Sequence, residues 1–142
     1  MEYYNRDKEI REAIEAGERA LASLRKADEK LGSARNWGLL DIIGGNFFTG
    51  MLKHARLAGA SRCVEDAKID LRKFQQELSD VQGLDYINVD VGDFMTFADF
   101  FLDGFIVDFM VQQKISDARR QVNSAITRTE FLLSQLREAK YN

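Results

Sequence analysis

Few side chains in this sequence could do chemistry, and the most suggestive is His54, the one histidine in the chain. A metal held there would need carboxylates as its other ligands, because no second imidazole exists and the one thiol is remote. Asp41, Asp99 and Asp103 are the candidates. Asp99 and Asp103 stand four apart, on one face of a helix. With His54 they would suit Mn, Fe, Zn or Mg. The plainer reading has His54 bonding a backbone carbonyl or facing water, and Asp41 and Asp99 capping helix ends or bonding exposed amides near the glycine breaks. A ferritin-like two-metal centre requires Glu-x-x-His, which the sequence lacks.

Other chemistries find less. Residues 84–113 hold six Asp and no Lys or Arg. A calcium loop needs acids at alternate positions, a central Gly and a closing Glu, and Asp85, Asp90 and Asp93 are too sparse for it. Gly44, Gly45 and Gly50 fall in Ile42–Leu52, but no Gly-Lys-Ser/Thr follows and no strand precedes. Close packing or a tight turn accounts for them better. Cys63 sits inside a helical pattern beside Val64 and reads as a structural thiol. These residues give no catalytic constellation, and no cofactor is implied.

The elements that must position such residues are long helices. Leu57, Ala60, Val64, Ala67, Leu71, Phe74, Leu78 and Val81 follow one another at alternating steps of three and four. Ile115, Ala118, Val122, Ala125, Thr129, Leu132, Leu136 and Ala139 repeat that pattern. Near the start, Ile10, Ile14, Leu21, Leu24 and Leu31 form a stripe widened by Ala13, Ala16, Ala20 and Ala27. Such stripes are the seams of antiparallel bundles or coiled coils. The intervening Glu, Lys, Arg and Gln favour helix and water, and the chain has no Pro to break a helix.

The expected fold is all-α: one bundle domain over 1–142, with three long antiparallel helices at about 5–34, 47–81 and 105–140. Two short apolar segments would join them. An extended connector is expected over 83–92, with Asp93 capping a short helix at about 94–102 and Asn46 capping the second long helix. A shift of 58 residues lays Leu57 on Ile115, Val64 on Val122, Asp41 on Asp99 and Phe47 on Phe105, which reads as a degenerate internal repeat.

The segment Trp37–His54 carries Trp37, Gly38, Asp41, Gly44 and Gly45, then Lys53 and His54. With the later run Phe97-Ala98-Asp99 through Asp103, Gly104 and Asp108, it resembles a family of small bacterial helical proteins marked by Trp-Gly-x-x-Asp-x-x-Gly-Gly followed by Lys-His. The resemblance spans roughly residues 35–120. It implies an all-helical fold and no established activity.

The chain has 142 residues, 20 Lys and Arg, and 23 Asp and Glu, so its net charge is −3. This balance argues against a nucleic-acid binder that works by bulk charge. Residues 1–15 alternate charge with apolar side chains, unlike a secretory leader. The longest uncharged run, Ile42–Leu52, has eleven residues, against about 20 for a bilayer span. A cytoplasmic location is expected, in keeping with a lone Cys.

Six of the ten phenylalanines fall between residues 94 and 109. Phe94, Phe97, Phe101, Phe105 and Phe109 are expected to cap the bundle or to form the interface of a homo-oligomer. A membrane-surface role is disfavoured because this stretch carries only Asp as charge. The functional expectation is a non-enzymatic bundle acting through protein–protein contact or self-association. The rival is a metal- or ligand-binding protein using Asp41, His54, Asp99 and Asp103.

Overall fold

A computed structural model describes residues 5–44, 47–84, 91–104 and 112–141, with side chains described throughout these except at 33–44, 47–58, 104, 112–115 and 141. The described residues form four α-helices: α1 (Arg6–Gly44), α2 (Phe47–Ser79), α3 (Val91–Gly104) and α4 (Gln112–Tyr141). The all-helical class follows the sequence pattern, but the element count differs. The first apolar segment is not a separate short helix; it closes α1 and opens α2. Loss of charge after residue 35 does not by itself end a helix, and α1 continues through it. Gly38 alone costs a helix only about 1 kcal/mol.

Local chemistry explains the described ends. Asn5 caps α1: its Oδ1 accepts from the Lys8 amide at 3.1 Å and its carbonyl from the Glu9 amide at 3.0 Å. Asp7 and Glu9 in the first turn complement the helix dipole. At the end of α2, the Asp80 and Val81 amides bond back to Glu77 and Leu78 at 3.2 Å in a tightened turn. Gly83 then adopts φ 79°, a left-handed conformation that suits glycine, and Val81 and Leu84 stay buried on either side of it. α3 starts at Val91, three residues before the expected start, so Asp93 lies within its first turn rather than capping it. Residues 45–46, 85–90 and 105–111 lie outside the described residues, and with them the expected cap at Asn46, most of the connector over 83–92 and the start expected for the last helix.

The helices run alternately up and down. Gly17 of α1 abuts Phe74 of α2 and Leu133 of α4, and farther along α1 the Ser23 hydroxyl donates to Asp70. Three α1–α4 ion pairs order the opposite side: Glu18 with Arg137 at 3.1 Å, Arg25 with Glu130 at 3.0 Å and Asp28 with Arg119 at 2.9 Å. Residue numbers fall on one helix as they rise on the other, so α1 is antiparallel to both neighbours. α3 fills the groove between α2 and α4, across from α1. Its Phe94 meets Phe74 edge-on at 5.3 Å.

The stripes read from the sequence form the core. Ala60, Val64, Ala67, Leu71, Phe74, Leu78 and Val81 are buried, as are Ala118, Val122, Ala125, Thr129, Leu132, Leu136 and Ala139. From α1 come Ile10, Ile14, Leu24 and Leu31 with the four alanines. At about 1.5 Å per residue, α3 spans only some 21 Å. It therefore lines the end of the bundle near Phe74 and Leu132.

Candidate interaction surface between α3 and α4

Where α3 lies on α4, the apolar content of both helices exceeds what the core takes up. Phe94, Ala98 and Phe101 point inward and are buried. Phe97, three residues after Phe94, falls on the edge toward α4 and is half-buried against the core. Phe100 falls one step further out and is 69% exposed. On α4, Leu132 and Leu133 are buried while Phe131 is 61% exposed. A large aromatic left in water on each of two neighbouring helices is the unusual feature, since scattered single apolar residues are ordinary.

Arg128 joins the two sides. Its guanidinium carbon lies 4.6 Å from the centre of the Phe97 ring, a cation–π contact, and Phe97 leans on Phe101 with ring centres 6.0 Å apart. Two grooves adjoin here. One of about 300 Å³ is lined by Asp93, Phe94, Thr127, Arg128, Phe131 and Leu132. The other, of about 480 Å³, is lined by Asp93, Thr96, Phe97, Phe100 and Arg128. Asp93 and Arg128 border both. The hydroxyls in this lining are already occupied: Thr96 donates to the Gly92 carbonyl and Thr127 to the Asn123 carbonyl, each at 3.1 Å. The surface thus offers aromatic faces, one carboxylate and one guanidinium. These are the means of recognition by contact.

The sequence-predicted site residues fall differently. Asp99 accepts a bond from Gln75 Nε2 at 2.6 Å on the exposed α2–α3 edge, and Asp103 is exposed near the end of α3. The side chains of Asp41 and His54 lie outside the described ones, as do those of the Trp37–His54 segment generally. Gln75, the partner of Asp99, stands 21 residues beyond His54 on α2, about 31 Å of helix. That spacing offers no support for a centre shared by His54 and Asp99. Of the phenylalanines expected either to cap the bundle or to form an interface, Phe94 and Phe101 are enclosed by the chain itself. They are buried within the chain because their three- and four-residue spacing with Ala98 turns them to the core. Phe97 borders the grooves, and Phe105 and Phe109 lie outside the described residues. Phe131 was missed. The available signal was a bulky aromatic one step off the α4 stripe, at a position the pattern assigns to solvent.

One carboxylate group was also invisible in the sequence, because it is assembled from two helices. Glu9 and Glu12 of α1 and Glu77 of α2 bring oxygens within 4.8 Å of one another, all half-buried. Burial holds the Glu77 carboxyl above its ordinary 4.5, with Glu12, Asp80 and Glu9 pushing in the same direction and Lys73 opposing them. Lys8 pairs with Glu12 at 3.8 Å.

No known family matches the chain, and no curated protein or solved structure matches it either. Among the described residues no helix is long and apolar enough to cross a membrane.

Proposed function

We propose that this chain is a non-enzymatic, cytoplasmic helical-bundle protein that acts through protein–protein contact, with the α3–α4 face as its contact surface. The observation that carries this reading is the pair of exposed phenylalanines, Phe100 and Phe131, beside two adjoining grooves. Aromatic anchors with an arginine are the residues that dominate binding at protein interfaces. The contacts of Phe97 with Arg128 and Phe101 support the reading too, because a side chain already in contact with its neighbours has less freedom to lose on binding.

The internal repeat belongs to the same proposal. Ala60 and Ala118, Val64 and Val122, and Leu78 and Leu136 are buried at related positions of α2 and α4, each helix antiparallel to α1. That arrangement supports descent of the two helices from one duplicated unit.

The test places a photo-crosslinking amino acid at position 100, 131 or 69 in cells. Ile69 is 64% exposed on α2 and lies outside both grooves, which makes it a matched control. Crosslinks to polypeptide at 100 and 131, and none above background at 69, are expected. Absence of crosslinks at 100 and 131, or equal labelling at all three positions, would overturn the proposal.

A further inference from the structure

We infer that α3 is a detachable helix: it docks and undocks as a unit on a frame of α1, α2 and α4, and its docking assembles the contact surface. This rests on the contact reading above and adds the regulation of that surface.

The frame is tied together without α3. Gly17 of α1 abuts Phe74 and Leu133, and Ser23 donates to Asp70. Glu18 with Arg137, Arg25 with Glu130 and Asp28 with Arg119 fasten α1 to α4. None of these contacts involves α3, which lies across from α1. Among the described residues α3 puts three buried side chains into the core, Phe94, Ala98 and Phe101, and the rest of the core comes from elsewhere in the chain. Gln75 with Asp99, and Arg128 with the Phe97 ring, hold its exposed edges, where such contacts are weak. A helix of 14 residues is marginal in water by itself, so α3 unwinds when it leaves. An element with few buried side chains, set on a frame tied together elsewhere, opens more readily than the whole chain unfolds.

The surface depends on that opening. Phe97 and Phe100 belong to α3, and Arg128 and Phe131 to α4. Both grooves take their lining from the two helices together. Undocking therefore dismantles both grooves at once. A partner that grips both helices binds the docked state alone and holds α3 in place.

Hydrogen exchange of the purified chain tests the undocking. The α3 amides should share one opening, at least tenfold more frequent than that of the slowest amides of α2 and α4, and little changed by low urea. Ala98→Gly lowers helix propensity, so it should raise α3 exchange about fivefold or more and leave those slowest amides unmoved. If the α3 amides exchange no faster than the slowest amides of α2 and α4, or if Ala98→Gly acts evenly on all four helices, the inference is wrong.

Phe101→Ala should go further and leave α3 undocked. The loss of helical circular dichroism should not exceed the 14 residues of α3, and a cooperative melt should remain. In that variant the photo-crosslink at position 131 should fall to background, although α4 is intact. Should Phe101→Ala fail to fold, the exchange measurements still decide. If α3 is undocked and position 131 crosslinks as before, α4 alone makes the contact: the switch is rejected and the contact reading stands. If wild type gives no crosslinks while exchange shows α3 opening, the contact reading falls and the detachable helix remains.

Discussion

Arg119 reaches across α1 over the bare backbone of Gly32 to meet Asp28, its Nε 2.9 Å from the carboxylate. A Cβ at Gly32 would stand 3.0 Å from the guanidinium carbon, so the glycine supplies the space in which the arginine lies. Asn123 completes the arrangement by donating to the same Asp28 oxygen at 2.9 Å and to the Arg119 carbonyl at 2.9 Å. The pair is partly exposed and is expected to couple by about 0.5–1 kcal/mol in a double-mutant cycle of Asp28→Ala and Arg119→Ala. Gly32→Ala should abolish most of that coupling by displacing the guanidinium. Urea unfolding at low and high salt measures it. A coupling unaffected by Gly32→Ala would contradict this account.

Two helical glycines should respond in opposite senses to the same substitution. At Gly17 a Cβ would fall 2.6 Å from Leu133 and 2.8 Å from Phe74, in the middle of the α1, α2 and α4 contact. Gly17→Ala is expected to destabilise the fold by about 1–3 kcal/mol through overpacking, despite its better helix propensity. Gly59 has nothing within 4 Å of its Cβ site. Gly59→Ala should therefore stabilise by about 0.5–1 kcal/mol. Denaturant midpoints of the two variants decide the matter.

Thr129 is the one polar residue among the buried positions described, fully enclosed and with no partner for its hydroxyl. A buried hydroxyl without a hydrogen bond costs about 1–3 kcal/mol. Thr129→Val keeps the branched shape and removes that cost, so a gain of about 1 kcal/mol is expected. Equilibrium unfolding that shows a loss instead would mean that the hydroxyl has a partner in solution.

The raised pKa of Glu77 makes stability depend on pH with a definite sign. In the folded state its proton is held above the ordinary value of 4.5, first by burial and then by Glu12, Asp80 and Glu9. Between 4.5 and the raised value the folded chain binds more protons than the unfolded one, so stability falls as pH rises through that window. The favourable contribution is complete below 4.5 and gone above the folded pKa. Glu77→Gln should therefore be more stable than wild type at neutral pH, and the difference should shrink on acidification. Melting temperatures of the two proteins across the acid range would show this. Parallel curves would exclude it.

The core was legible because its signal is local. Every described position of the α2 and α4 stripes is buried, and α1 follows its pattern with Leu21 partly buried. The element boundaries were less so. The charge drop after residue 35 is a boundary of composition only, and α1 runs through it to Gly44. The surface between α3 and α4 was half legible. The phenylalanine cluster announced excess apolar area, but the choice among its members depends on where α4 lies. Phe94 and Phe101 turned inward, Phe100 outward, and Phe131 joined from α4, 31 residues beyond Phe100. The Glu9, Glu12 and Glu77 group had no sequence signal at all, since it exists only once α1 and α2 pair.

The ion pairs between α1 and α4 also determine how the bundle would respond to force. Glu18 with Arg137, Arg25 with Glu130 and Asp28 with Arg119 run in sequence from one end, with the outer ends of both helices side by side there. A pull applied at Arg6 and Tyr141 loads these pairs one after another, beginning with Glu18 and Arg137, rather than all at once. The protein would part like a zipper under low tension, whereas heat and denaturant act on all three contacts together.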